Sequence, residues 1–335
     1  MKQIQFSTFG APSQVAKCVE VADVGAPSSW EVVVDVEAFP INFADLAMLA
    51  GVYGTLPKPP SPIGMEAIGR VSQCGAAVKT LSVGDRVVIL ANHNWAERRK
   101  VPAAAVHKVS RDGSVEQLAM LKVNLATGYL LLKQAIDSSR EPWIIQNAPL
   151  SSVGRSIVQL AKQLNVRTIN VVRSPDAIPE VLALGGDVVL EDGPDLAERV
   201  RAMIRHEIVS FAFDAVAGPG AQRLAECLSE GGQLVNYGML SNQPLELHPD
   251  QTIFRGIALS GFWLSKTLNR LSLPQRTSLF DELASWVVAE KVRMEIDSYY
   301  PIHRISDALA RAEQGKRRGK VLVVTDHSEW KGRLS

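Results

Sequence analysis

Trp143-Ile144-Ile145-Gln146-Asn147-Ala148-Pro149-Leu150-Ser151-Ser152-Val153-Gly154 reads as a short buried strand, a tight loop and the opening of a helix. In a doubly wound parallel sheet this turn holds a dinucleotide pyrophosphate. Backbone N–H groups left unpaired at the helix N-terminus, together with the helix dipole, favour an anion there. Most of the glycines usual in such a turn are missing, so the stretch by itself also fits a plain strand–helix connection. Its continuation favours the nucleotide reading. A helix is expected over 153–164, because Val153, Ile157, Leu160, Ala161 and Leu164 recur at helical spacing. A second strand, expected over 168–172, then ends at Arg173-Ser174. NAD sites present Asp or Glu at this point to the ribose 2′-hydroxyl. A guanidinium cannot accept that bond, but it neutralises a 2′-phosphate. The local chemistry therefore points to NADPH.

Composition sets the outer bounds. The 335-residue chain is 46% hydrophobic and 21% charged, with a formal net charge of +1, which describes an ordinary globular protein large enough for two domains. There is no basic excess to attract nucleic acid and no apolar run of membrane-spanning length. Three scattered cysteines, Cys18, Cys74 and Cys227, do not make a disulfide framework and point to a reducing compartment. The N-terminus, Met1-Lys2-Gln3-Ile4-Gln5-Phe6, starts with strand-like alternation rather than a signal or transit segment. A cytoplasmic location is the resulting expectation.

Outward from the loop, the chain changes character. Residues 1–117 are β-rich, with strands expected over 32–36, 67–74 and 87–90 and a turn at Val83-Gly84-Asp85-Arg86. Asn42-Phe43-Ala44-Asp45 is expected to start a short helix that stops at Gly51, since Asn caps and an acid in the first turn suits the dipole. From about residue 118, strands alternate with helices. Further strands are expected over 188–190, 211–216, 233–237 and 257–262, with a helix over 221–228 between two of them. Such alternation argues for a parallel sheet with helices on both faces. Another helix is expected over 274–290, and Val321-Leu322-Val323-Val324 looks like a strand returning to the first domain.

A β-rich domain split around a central nucleotide-binding domain resembles the medium-chain dehydrogenase/reductase superfamily, as do Gly84-Asp85-Arg86-Val87 and Asn42-x-x-Asp45. The resemblance implies an α/β fold: a Rossmann doubly wound parallel sheet over 118–265, plus a split GroES-like β-rich catalytic domain over 1–117 and 266–335. Zinc-dependent members carry a Gly-His-Glu pattern, whereas here Gly64-Met65-Glu66 stands in its place. Catalytic zinc needs three His, Cys or carboxylate ligands. With no Cys-x-x-Cys and with histidines far apart in the chain, no metal is expected, and Glu66 is expected to serve structure.

Four further segments resemble one branch, the 2-enoyl thioester reductases of the mitochondrial trans-2-enoyl-CoA reductase type. They are Gly51-Val52-Tyr53-Gly54-Thr55-Leu56-Pro57, Ile145-Gln146-Asn147-Ala148, Thr168-Ile169-Asn170-Val171-Val172-Arg173 and Gly261-Phe262-Trp263-Leu264-Ser265. The resemblance implies that Tyr53 is the catalytic proton donor. It places cofactor contacts on Asn124, on Leu150, Ser151, Ser152 and Val153, on Arg173 and Ser174, on Tyr237, Gly238, Met239 and Leu240, on Phe262, Trp263, Leu264 and Ser265, and on Lys320. Asn42 and Trp95 are candidates for substrate contact, although a helix cap explains Asn42 better and a packing role explains Trp95 at least as well. Three departures stand out: Ser152 where the family has glycine, Ser174-Pro175 in place of a second basic residue after Arg173, and Met239 in place of the second of two glycines after Tyr237.

The chemistry is coherent on its own terms. A conjugated thioester accepts hydride at Cβ, negative charge develops on the thioester oxygen, and Cα is then protonated. A phenol, with an ordinary pKa of roughly 10, stays protonated at neutral pH and can donate that proton. The primary expectation is an NADPH-dependent reductase of trans-2-enoyl thioesters carried by coenzyme A or acyl carrier protein, homodimeric by resemblance. An NADPH:quinone or enone reductase of the same fold, and a non-catalytic nucleotide-binding or regulatory protein, are the alternatives. In the run Lys316-Arg317-Arg318-Gly319-Lys320, the first two basic residues read as a solvated turn and Lys320 as the functional one.

Overall fold

A computed structural model describes residues 1–138, 143–205, 207–315 and 317–328. His206 and Lys316 lie outside the described residues. The chain divides into two compact units, Asn124–Ser272 and Met1–Val123 with Leu273–Ser335. Both boundaries fall slightly beyond the 117/118 and 265/266 expected from the alternation. At the first, the short helix Val115–Leu118 packs with Leu273–Val288, and Gln117 exchanges two hydrogen bonds with the Met294 backbone. At the second, helix Leu264–Arg270 completes the central unit.

The central unit is built on a six-stranded parallel sheet. Its spatial order is Val188–Glu191, Arg167–Val172, Trp143–Asn147, Val209–Asp214, Gln233–Asn236 and Ala258–Gly261. The order runs outward in both directions from Trp143–Asn147, so the switch point lies between that strand and Val209–Asp214. Ligands of open α/β sheets bind at the carboxyl ends beside such a point. Every residue of Trp143–Asn147 is buried, as expected for a strand covered on both faces. The expected strand over 211–216 instead begins at Val209 and stops at Asp214, whose carboxylate turns the chain out of the sheet by accepting the Val216 and Ala217 N–H groups. Helix Ser152–Gln163 buries Ile157, Leu160 and Ala161 of the expected stripe together with Val158, while Val153 and Leu164 at its ends are half-buried.

The other unit holds a seven-stranded sheet. Its path runs Ile296–Pro301, Lys320–Val324, Glu31–Pro40, Ala67–Cys74, Arg86–Ile89 and Val106–Lys108, with Arg98–Pro102 also pairing with Glu31–Pro40. The returning tail strand lies antiparallel to Glu31–Pro40, with Leu322 opposite Pro40. A small sheet of Ala16–Glu20, Lys2–Phe6 and Ser61–Pro62 accompanies it. Ile4, Phe6, Val34, Phe39, Ile63, Leu309 and Val323 share one core with Trp95. No helix among the described residues is long and apolar enough to cross a membrane.

Candidate active site

In the central unit, four of the expected cofactor segments follow the carboxyl ends of parallel strands, so the topology brings them to one edge of the sheet. Leu150 to Val153 follow Trp143–Asn147, Arg173 and Ser174 follow Arg167–Val172, Tyr237 to Leu240 follow Gln233–Asn236, and Phe262 to Ser265 follow Ala258–Gly261. Arg173, Ser174, Met239 and Leu240 are exposed, while Phe262, Trp263, Leu264 and Ser265 are half-buried. Asn124 is buried, and its carbonyl accepts a 3.1 Å bond from Ser156 Oγ.

The opening loop is tightly built. Ala148 takes a left-handed conformation at φ 48°, unusual for a residue with a Cβ. Ser151 caps the helix, its Oγ accepting the Gly154 N–H at 3.1 Å. A Cβ on Gly154 would sit 2.3 Å from the Ala148 carbonyl oxygen, so only glycine allows this approach of helix to loop. The Ser152 and Val153 N–H groups have no acceptor among the described residues, which is the donor pair that a pyrophosphate requires. The Tyr237 hydroxyl is buried beside the Ser151 hydroxyl, with no well-formed hydrogen bond among the described residues. Burial, and then the Asp214 carboxylate, push its pKa up. Orphaned donors beside a helix N-terminus fit a dinucleotide phosphate.

Behind these loops lies a clamp that the sequence reading did not identify. Asp214, fully buried, accepts from Asn147 Nδ2 at 2.6 Å, Val216 N at 2.9 Å, Ala217 N at 3.0 Å and Asn236 Nδ2 at 2.8 Å. Asn147 Oδ1 accepts from Ala215 N at 2.8 Å, and Asn236 Nδ2 also donates to the Gly238 carbonyl at 2.9 Å. Three strand ends and the loop at Tyr237-Gly238 are thus tied together. An acid closing the apolar run Phe211-Ala212-Phe213 was the available signal, since a carboxylate at the end of a buried strand needs donors.

In the other unit, helix Phe43–Leu49 is held by the expected Asn42 cap in a reciprocal box with Asp45. The chain leaves this helix into the loop carrying Tyr53, whose ring is half-buried against the core. Beneath the cap lies a cluster of four buried ionisable side chains: Asp45, Glu66, Lys122 and Lys320. Asp45 accepts from Asn42 N at 2.9 Å and Met65 N at 3.0 Å. Glu66 accepts from Asn42 Nδ2 and from Val123 N, both at 2.8 Å. The Lys122 ammonium donates to the Met65 and Ala91 carbonyls and to Asn92 Oδ1, and Lys320 donates to Asn42 Oδ1 and to the Ile41 carbonyl. Desolvation is the main cause of every shift: Asp45 is pushed up to about 7, Glu66 upward, and Lys122 and Lys320 down to about 8.

The geometry bears on several of the expected site residues. Trp95 lines no cleft: it is fully buried and stacks on Phe39 at 5.4 Å between ring centroids. Its aromatic area is worth more in a core than at a rim. Asn42 is 2% exposed with both ends of its carboxamide bonded to Glu66 and Lys320, which supports the structural alternative for it. Lys320, expected at the cofactor, ends its ammonium inside this cluster, where the desolvated charge finds Asn42 and a carbonyl. Arg317 is half-buried and donates to the Ala312 and Gly319 carbonyls, whereas Arg318 is exposed. Among the described residues, no group of His, Cys, Asp and Glu is arranged to hold a metal ion.

Comparison with known proteins accounts for both units. Residues 28–125 match the alcohol dehydrogenase GroES-like domain, and residues 152–282 match the zinc-binding dehydrogenase family. The chain is 30% identical to the mitochondrial enoyl-[acyl-carrier-protein] reductase of Dictyostelium discoideum, covering 96% of this chain and 94% of the relative. Among solved structures, a Bacillus thuringiensis protein provisionally described as an NADPH:quinone reductase superimposes with a TM-score of 0.89 at 26% identity, covering 96% of this chain and 98% of the other. Etr1p in complex with NADP and crotonyl-CoA superimposes with a TM-score of 0.85 at 23% identity, covering 96% and 99%. Etr1p is a mitochondrial 2-enoyl thioester reductase of Candida tropicalis that also forms a heterodimer with Etr2p. The cytoplasmic expectation is overturned by relatives named as mitochondrial, because free thiols and near-neutral charge do not distinguish one reducing compartment from another. With a GroES-like unit split around a Rossmann sheet and a full-length enoyl reductase relative, this chain belongs to the medium-chain dehydrogenase/reductase superfamily, as an oxidoreductase of its enoyl thioester reductase family.

Proposed function

We propose that the protein reduces the 2,3 double bond of trans-2-enoyl thioesters, carried by coenzyme A or acyl carrier protein, with NADPH as reductant. The observation that carries this reading is the likeness, across nearly the whole chain, to an enoyl-[acyl-carrier-protein] reductase. When bound, NADPH supplies the hydride that adds to Cβ. The chain's own residues bind and orient it. The Ser152 and Val153 N–H groups meet the pyrophosphate, Arg173 neutralises the 2′-phosphate, and the clamp at Asp214 holds the loop Tyr237 to Leu240 in register. Ser152 adds a hydroxyl and a Cβ where the family pattern has glycine, beside the path of the pyrophosphate. Tyr53 hydrogen-bonds the thioester oxygen as charge develops and donates the proton that Cα takes. The active assembly in this reading is a homodimer.

The decisive test is NADPH oxidation with crotonyl-CoA and longer enoyl-CoA substrates. Tyr53→Phe is expected to lower kcat by roughly 10²-fold or more while leaving NADPH affinity and the melting temperature unchanged. Full activity in that variant removes Tyr53 from the mechanism. A second reading, quinone or enone reduction, is favoured by the closer superposition of the Bacillus thuringiensis structure. Turnover of quinones with none of crotonyl-CoA selects it.

A further inference from the structure

With Ser174-Pro175 following Arg173, no second basic residue adjoins the expected 2′-phosphate ligand in sequence, and the surroundings of Arg173 decide whether it is enough. Next to Arg167–Val172 lies the parallel strand Val188–Glu191, with Val172 paired to Glu191. The following residue, Asp192, donates its backbone N–H to the Val172 carbonyl at 2.8 Å. A carboxylate thus stands on the shoulder of the strand end from which Arg173 projects. Left bare, an acid there repels a phosphate dianion, or attracts the Arg173 guanidinium away from it. It also resembles in kind the acids that bind an unphosphorylated ribose.

Asp192 is not bare. Arg223, on helix Pro219–Cys227, grips it with both arms: Nε donates to Oδ1 at 2.6 Å and Nη2 to Oδ2 at 2.5 Å. This planar fork is the geometry in which a guanidinium most fully quenches a carboxylate, and both partners are only about a quarter exposed. The other acids nearby, Asp176 and Glu191, are exposed to solvent, where screening weakens their reach. Arg173 itself is exposed and forms no ion pair among the described residues, which leaves it available to a ligand.

We propose that Arg223 is a specificity-determining residue: by neutralising Asp192 it lets the lone Arg173 select NADPH over NADH. The proposal rests on the reading of Arg173 as the 2′-phosphate ligand. Arg223 acts through Asp192 and need not touch the cofactor.

The test measures kcat/KM for NADPH and for NADH with crotonyl-CoA as acceptor, alongside dissociation constants for both cofactors from quenching of protein fluorescence. Arg223→Gln is expected to lower the NADPH/NADH ratio about tenfold, through KM and Kd for NADPH, with NADH values changed less than threefold. Adding Asp192→Asn to that variant is expected to restore the ratio, an outcome that a purely structural ion pair would not produce. Loss of NADPH and NADH affinity in parallel, or an unchanged ratio in Arg223→Gln, overturns the proposal. A wild-type protein that binds NADH as well as NADPH overturns the Arg173 reading itself and the proposal with it.

Discussion

The two units bury polarity in opposite ways. Beneath the Tyr53 loop, two carboxylates and two ammoniums lie within 6% of full burial, stitched together through Asn42 and main-chain groups. At the carboxyl edge of the Rossmann sheet, a single carboxylate, Asp214, is satisfied by two amide side chains and two backbone N–H groups, with no cation bonded to it among the described residues. The first arrangement balances charge against charge. Removing one member therefore leaves the others uncompensated in a poor dielectric, and its state depends on pH. The second balances one charge with dipoles, so it fixes geometry without a proton equilibrium on its partners. Loops that must hold a cofactor unchanged across pH suit the second design. The charged design stands where Gly64-Met65-Glu66 replaces a zinc-ligand pattern, and its two lysines supply positive charge that balances the acids.

The comparison breaks most visibly at Glu66. Glu66→Ala strips the acceptor from Asn42 and Val123 and leaves two buried ammoniums facing Asp45 alone. A loss of about 3–5 kcal/mol in urea unfolding is expected, and a loss below 1 kcal/mol would mean that the cluster is solvated in practice. Asp214→Ala is expected to cost less, about 2–3 kcal/mol, because amides and N–H groups lose an acceptor without stranding a charge. Its sharper readout is a rise in NADPH Kd of roughly tenfold or more, since the loop at Tyr237-Gly238 loses its anchor.

The smallest effect separates the designs by pH. Asp45 is held up to about 7 in the folded protein, against about 3.9 in an unfolded chain, so the folded state binds the extra proton between those values. Stability from this group therefore falls as pH rises from about 4 to 7. Lys122 and Lys320 sit at about 8 against an ordinary value of about 10.4, so the unfolded state binds more protons above 8, and stability rises again from about 8 to 10. Urea midpoints across pH 5–10 should thus dip near 7–8, and Asp45→Asn should flatten the acid limb. An unchanged limb in that variant assigns the dip elsewhere.

Legibility in the sequence followed the same division. The central parallel strands were readable from their apolar, β-branched cores, Trp143-Ile144-Ile145 and Ile169 with Val171-Val172, which the sheet buries on both faces. The helix Ser152–Gln163 was readable from its apolar spacing, and the Asn42 cap with Asp45 was readable because both partners lie within one turn. Trp95 was not, since its burial depends on Phe39, more than fifty residues earlier on strand Glu31–Pro40. Lys320 looked like part of a basic surface run. Only the pairing of its strand with Glu31–Pro40 carries its ammonium to Asn42. The Asp214 clamp was equally hidden, because its amide partners come from two other strands.

The sequence by itself determined the layout of strands and helices, the loop Ala148 to Gly154 and the guanidinium at Arg173, because these depend on residues within a few positions of one another and on the period of burial. Tertiary structure alone decided which polar side chains face inward and what meets them there. Asp214 with Asn147 and Asn236, Lys320 with Asn42, and Asp192 with Arg223 are pairs separated by tens to hundreds of residues. Their energies arise only when folding removes water from both partners at once.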